Sequence, residues 1–228
     1  MYTLYIANKN YSSWSLRPWV LMRALAIPFE ERLVPLEEGS CWNSYRTFSP
    51  NGRVPCLHDG GTVVWDSLAI VEYLAERHAA VWPADTGNRA WARCAASEMH
   101  SGFGALRERC GMNCGLRVKL RNMPEPLRAD IARVDELWSE GIRRFGGPYL
   151  AGPAFSAADA FFAPVAFRVQ TYDLPLSTAA HAYADLLLGH EAMVEWYQAG
   201  LAEPWREASH EAEAREAGTV LADHRQGI

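Results

Sequence analysis

This sequence predicts a small α/β unit over residues 1–80 followed by an all-helical unit over residues 88–228. Two observations carry that reading. Strand-like segments fall only in the first third of the chain, in the order strand, helix, strand, an irregular stretch, then strand, strand, helix. After a polar stretch containing proline and glycine at 82–88, the segments that follow carry helical periodicity. With 228 residues, 49% of them hydrophobic, the chain can bury a full core.

Residues 2–7 are apolar and aromatic and have the length of a buried strand. Residues 15–26 read as a helix, with Val20, Leu21, Ala24 and Leu25 on one face and Pro18 in the first turn, where proline is tolerated. Residues 29–34 return to strand-like alternation, closed by Pro35, and the irregular stretch after them can hold a helix. Ser49-Pro50-Asn51-Gly52 is a dense turn signal. Two short strands, 54–58 and 62–65, are joined by Asp59-Gly60-Gly61, a hairpin-type turn. Residues 67–77 read as a helix with Leu68, Ile70, Val71 and Leu74 apolar. One parallel pair and one hairpin follow from that order. Helices are expected at 89–109, 127–145, 157–170 and 191–202, and the polar tail beyond Trp205, rich in Glu, Ala and Arg, is expected to fray.

Composition excludes several classes. A net charge of −5 and a pI near 5.8 argue against nucleic-acid binding, which needs a basic face. No run of about 20 apolar residues is present, so no membrane span is expected. The N-terminal residues lack the basic start and long apolar run of a signal peptide. Five cysteines without C-x-x-C spacing indicate neither a disulfide framework nor a zinc site, so no metal is expected and a reduced, cytoplasmic protein is the simplest reading. Cys56 and Cys94 are taken as buried packing residues.

Three motifs carry chemistry. Tyr11-Ser12-Ser13-Trp14-Ser15 places hydroxyls beside a helix N-terminus, where free N–H groups and the dipole favour negative charge such as a thiolate. One of these serines capping the helix is the plainer alternative. Arg53-Val54-Pro55-Cys56 enters a strand, and a cis Val54–Pro55 bond would leave the Val54 N–H and C=O free to pair with an extended peptide ligand. A trans proline opening an edge strand is the alternative. Asp66-Ser67 leads a strand into a helix. Ser67 can offer its hydroxyl and N–H to a carboxylate and Asp66 can accept an ammonium group, which together suit an amino-acid head group. Simple capping by Asp66 is the alternative.

The order and spacing of these motifs on the β-α-β…β-β-α frame resemble the cytosolic glutathione transferase family over essentially the whole chain. The resemblance implies a thioredoxin-like N-terminal domain that binds glutathione and an all-α C-terminal domain that lines the acceptor pocket. It assigns the sulfur-facing hydroxyl to Ser12, with Tyr11 as a rival, and a cis bond before Pro55. The cysteinyl backbone of glutathione goes to Val54, the γ-glutamyl group to Asp66 and Ser67, and help in holding the peptide to Arg53. Gly152 to Asp159 resembles the family's capping motif, in which Ser156 caps a helix, Asp159 reaches back and Phe155 staples. On the first helix of the second unit, His100 and Arg107 are candidates for the acceptor pocket together with Tyr11 and Trp14, and two glycines in that helix, Gly102 and Gly104, suggest close packing or a ligand.

The serine-rich run resembles the serine-type, zeta-like members of bacterial proteins of this family, although Trp14 stands where that group commonly has cysteine. Ser12 and Ser15 occupy the places of a C-x-x-C pair, which disfavours disulfide chemistry there. The leading expectation is an enzyme that activates the glutathione thiol for attack on a small electrophile. Glutathione-dependent isomerisation or peroxide reduction at the same site, and a non-enzymatic carrier of hydrophobic ligands, are the alternatives. The family further implies a homodimer.

Overall fold

The computed structural model describes residues 1–225. Strand β1 (Tyr2–Ile6) is central to a four-stranded sheet of order β2-β1-β3-β4. It pairs in parallel with β2 (Phe29–Leu33) and antiparallel with β3 (Cys56–Asp59), which forms the hairpin with β4 (Thr62–Trp65). Leu4 and Ile6 are fully buried because β1 lies inside the sheet and beneath helices. A parallel pair needs a crossover, supplied by α1 (Ser13–Ala24), while α3 (Ser67–Ala75) follows β4 directly and packs on α1. Between β2 and β3 lies the four-residue helix α2 (Trp42–Tyr45).

The second unit contains α4 (Thr86–Ser101), α5 (Gly104–Arg109), α6 (Glu125–Phe145), α7 (Ala157–Tyr172), α8 (Thr178–Leu188), α9 (Glu191–Ala202) and α10 (Ala208–Ala217). Helix α7 is apolar around most of its circumference, and such a helix must be buried. It touches α1, α4 and α8, and so joins the two units through its contact with α1. Its start is fixed by Asp159, which is completely buried. One carboxylate oxygen accepts from the Ser156 N–H (2.9 Å), and the other from the Leu150 N–H (3.0 Å) and the Tyr183 hydroxyl (2.8 Å).

Several details depart from the sequence reading. Helix α1 begins at Ser13, so Pro18 falls in its second turn. The single helix expected at 89–109 is two, because Gly102 ends α4 and Phe103 adopts a left-handed conformation (φ 59°, ψ 44°). The two glycines therefore mark a break rather than interior positions. Helix α8 was missed, and Cys94, expected inside, is exposed. The helical unit also carries a two-stranded antiparallel sheet of β5 (Leu116–Leu120) and β6 (Gly218–Asp223). The tail expected to fray thus forms α10 and β6, with Glu211, Ala214 and Arg225 buried. Gly218 is required there, since a Cβ would collide with the Lys119 carbonyl.

Replacing Asp159 by Ala strands two backbone N–H groups and a tyrosine hydroxyl in the core. At about 1–3 kcal/mol for each unsatisfied group, we expect a loss of at least about 3 kcal/mol in urea unfolding. An unchanged midpoint would show the network to be dispensable.

Candidate active site

The turn between β1 and α1 positions the serine run, and it is held from both units. Asn8 Oδ1 accepts from the Leu36 N–H (2.7 Å), and the Lys9 ammonium pairs with Glu31 (2.7 Å). From the helical unit, the buried carboxylate of Glu203 accepts from the N–H groups of Lys9 (2.5 Å) and Asn10 (3.3 Å). The Trp196 indole donates to the Lys9 carbonyl (2.8 Å), and Asn10 exchanges side-chain bonds with Asn113 and Gly115 (both 2.9 Å). Ser12 follows this clamp as the residue preceding α1.

The Ser12 hydroxyl does not cap the helix. It donates to Ser15 Oγ (2.8 Å), which also accepts from the Ala7 N–H (3.2 Å). Each hydroxyl has one proton and two lone pairs, so Ser15 can instead donate to Ser12 and free the Ser12 proton for an anion. Ser12 lines a cavity of about 590 Å³, together with Tyr11, Trp14, Trp42, Val54, Arg107 and Arg168 among others. A second hollow of about 180 Å³ adjoins it, lined by Trp14, Asn51, Arg53, Val54, Pro55, Asp66 and Ser67. Trp14, Arg53 and Val54 border both, so the two hollows are neighbours.

In the smaller hollow the Val54–Pro55 bond is cis. Asp66 stands at φ 75°, ψ 136°, a conformation costing a non-glycine residue of order 1–3 kcal/mol and found most often at functional positions. Its Oδ1 caps α3 through the N–H groups of Leu68 (2.8 Å) and Ala69 (3.4 Å). Oδ2 accepts no hydrogen bond among the described residues and faces His100 Nε2 at 3.5 Å. One carboxylate of a residue that lines the hollow thus caps the helix through one oxygen while the other makes no hydrogen bond among the described residues. Ser67 is buried, and its hydroxyl accepts from the Arg17 guanidinium (3.5 Å). Arg53 is exposed at the edge.

The candidate acceptor residues separate. Trp14 packs against two guanidinium groups, Arg17 at 4.2 Å and Arg107 at 4.7 Å from its ring centre, and borders both hollows. Arg107 lines the larger cavity and also donates to the carbonyls of Met99, His100 (3.0 Å) and Gly102 (2.8 Å), satisfying the C-terminal end of α4. His100 lines neither hollow. It stands behind Asp66 and edge-on to Trp14, and burial lowers its pKa. Tyr11 borders the larger cavity, but its hydroxyl donates to Glu211 (2.7 Å) and accepts from Arg225 (2.6 Å). Burial first, and then Glu211, push its pKa up to about 12.

Sequence reasoning missed Arg17, Arg168, Glu211 and Arg225. Two of them had a signal: Arg17 sits three and four residues before Val20 and Leu21, on the apolar stripe, and Arg168 interrupts a nearly continuous apolar helix. Glu211 and Arg225 lie in the tail and had none. Replacing Tyr11 by Phe leaves these two buried partners without their shared hydroxyl. We expect a loss of about 1–3 kcal/mol and faster amide hydrogen exchange across 218–223. Exchange that matches wild type would show that Tyr11 does not hold the C-terminal strand.

Comparison with known proteins follows the same two units. Residues 11–77 match the family model for the glutathione S-transferase N-terminal domain, and residues 89–199 that for the glutathione S-transferase C-terminal domain. A glutathione S-transferase-like protein of Aspergillus terreus is 35% identical over 80 residues, which are 32% of this chain and 35% of that protein, so this match spans about a third of its length. A probable maleylacetoacetate isomerase of Caenorhabditis elegans is 28% identical over 178 residues, 73% of this chain and 81% of that one. The theta class glutathione S-transferase from the citrus canker pathogen Xanthomonas axonopodis pv. citri, solved with glutathione bound, shares the fold at a TM-score of 0.60 and 26% identity, covering 87% of this chain and 96% of that one. With both family models matched in order over well over half of its 228 residues, on a thioredoxin-like sheet followed by a helical unit, the chain belongs to the glutathione S-transferase family.

Proposed function

We propose that this protein is a glutathione S-transferase in which Ser12 stabilises the glutathione thiolate and directs it at a small electrophile. The observation that carries the reading is the uncapped Ser12 hydroxyl at the start of α1, opening on the larger cavity beside the hollow of Val54, Asp66 and Ser67. On this reading the glutamyl end of glutathione enters the smaller hollow. The free oxygen of Asp66 accepts its ammonium group. Ser67 donates to its carboxylate, a role left open because Arg17 supplies the bond that the Ser67 oxygen accepts. The Val54 backbone pairs with the cysteinyl residue, Arg53 steadies the peptide, and the sulfur meets Ser12. The commitment of the Tyr11 hydroxyl to Glu211 and Arg225 supports Ser12 over Tyr11 as the sulfur's partner.

A hydrogen bond to a charged acceptor contributes about 1.5–3 kcal/mol, and one pKa unit corresponds to about 1.4 kcal/mol. Ser12 can therefore lower the thiol from its free value of about 8.5 by roughly one to two units, with the helix end adding to this. Following the ultraviolet absorbance of bound thiolate against pH, we expect a depressed pKa in wild type. It should rise by at least about one unit in Ser12→Ala and stay depressed in Tyr11→Phe. If wild type binds glutathione and its thiol titrates as in free solution, the activation reading fails. If it does not bind glutathione, a carrier of other ligands replaces the enzyme. Glutathione-dependent isomerisation at the same site is the second reading, supported by the name of the nematode relative.

Homodimerisation belongs to the same proposal. Trp65 is 44% exposed at the edge of an apolar strip formed by Val63, Val64, Leu68 and Ala69, a face suited to a second copy. Sedimentation is expected to give twice the 25.5 kDa chain mass, and a monomer would remove the dimer from the proposal.

A further inference from the structure

Three arginines converge on Trp14 and the larger cavity, and none is ion-paired among the described residues. Arg17 is fully enclosed, packs against the rings of Trp14 and Phe161, and leaves its Nε without a partner among the described residues. Arg107 spends its Nε and one terminal nitrogen on backbone carbonyls. Arg168 projects from the C-terminal half of α7, is 4% exposed, and lines the cavity. Its Nε is tied back to the Cys110 carbonyl (2.8 Å), and its two terminal nitrogens have no partner among the described residues. Burial lowers the Arg168 pKa to about 10 and Arg107 reinforces the shift, yet the group stays charged at neutral pH.

No carboxylate among the described residues forms an ion pair with this cluster, although Asp66 attracts Arg17 and Asp130 attracts Arg107 from beyond ion-pair distance. Glu213 is exposed on α10 at the rim, Arg53 adds positive charge, and His210 is engaged with Glu207 at 2.6 Å. A guanidinium taken out of water without a counter-ion is costly, and its planar fork of donors matches a carboxylate. The missing anion is therefore expected from a ligand.

We propose that the larger cavity takes a carboxylate-bearing electrophile, held by the terminal nitrogens of Arg168 with Arg107 beside it, so that the second substrate of this enzyme is an anion. The inference rests on the glutathione reading above and specifies its acceptor. For an aryl chloride of this kind the step balances simply: the thiolate sulfur forms a bond to the chlorine-bearing ring carbon, the ring carries the charge transiently, and chloride leaves with its electron pair. The thiol proton has already gone to solvent. Glutathione has a glycyl carboxylate of its own, which presents the same chemistry to the same arginine, so the test must separate the two sources.

The matched probes are 4-chloro-3,5-dinitrobenzoate and its methyl ester, each corrected for its uncatalysed rate with glutathione. Wild type is expected to favour the acid in kcat/KM by about tenfold or more, the factor that one charge-assisted hydrogen bond supplies. Arg168→Gln should bring that ratio to within about twofold of one, and Arg168→Lys, which keeps the charge and guards against a folding artefact, should retain a preference of several-fold. An ester turned over as well as the acid by wild type, or a ratio unmoved in Arg168→Gln, overturns the proposal. A loss of about tenfold in glutathione affinity in Arg168→Gln also overturns it, because it assigns the arginine to the glycyl carboxylate. Calorimetry on wild type without glutathione separates this inference from the broader reading. Binding of 3,5-dinitrobenzoate much tighter than of its methyl ester supports the anion site even if glutathione activation fails, and equal binding overturns it.

Discussion

Asn8, Lys9 and Asn10 form the turn on which the rest of the molecule depends. All three are buried, and a buried turn must find partners for its peptide groups or lose about 1–3 kcal/mol for each one unmet. Glu203 and Trp196 of the helical unit satisfy the N–H groups and one carbonyl of the turn, while Asn113 and Gly115 engage the Asn10 side chain. The position of Ser12 is therefore set by both units at once. Burial raises the pKa of Glu203, but two N–H donors and the charges of Arg225 and Lys9 act against that rise. The same arrangement explains why the C-terminal segment is structured. Arg225 donates to the carbonyls of Glu203 (2.8 Å) and Trp205 (2.5 Å) and to the Tyr11 hydroxyl, so the strand β6 ends on the residues that clamp the turn.

From this clamp the site divides by charge. The smaller hollow offers both signs, the free oxygen of Asp66 and the Arg17-supported hydroxyl of Ser67, as a zwitterionic head group requires. The larger cavity offers guanidinium groups from Arg107 and Arg168 beside an indole. Trp14 borders both, and two guanidinium groups hold its ring by cation–π attraction of about 0.5–2 kcal/mol apiece. A cysteine at that position would offer no ring to these guanidinium groups, which gives the departure from the zeta-like pattern a structural consequence of its own.

Legibility in the sequence followed the range of the interactions. The β-α-β and β-β-α order could be read because each piece is fixed by local periodicity and by turns such as Asp59-Gly60-Gly61. The cis bond before Pro55 was read through resemblance alone, since composition favours trans. The β5–β6 pair was not read, although Leu116-Arg117-Val118-Lys119-Leu120 alternates as a strand should. Five residues are too few to stand out, and the partner strand lies about a hundred positions away in a tail whose composition suggests a solvated helix. The split of α4 from α5 was hidden for a different reason. Helical periodicity continues across it, and the break depends on Phe103 adopting a left-handed turn and on Arg107 reaching back to the exposed carbonyls. Of the proposed site, the motif residues and Arg53 and Arg107 were visible and Arg17 and Arg168 were not, because a lone arginine in an apolar helix gains meaning only once its missing counter-ion is seen.

The two hydroxyls at the start of α1 show how packing, rather than residue type, separates their capabilities. Tyr11 is the more acidic in water, with a reference pKa near 10. Enclosed by the C-terminal segment, it is driven to about 12, its proton facing Glu211 and its oxygen facing Arg225. Its bonds are spent on holding the strand. Ser12 is less acidic but only half-buried, free of any capping duty, and connected through Ser15 to the Ala7 N–H of the clamped turn. A thiolate needs a donor that keeps its proton and can turn toward the sulfur, and a serine hydroxyl never ionises in the working range. On the proposed reading, the group suited to stabilise an anion here is thus the weaker acid, and the contacts that immobilise Tyr11 also leave Ser12 available.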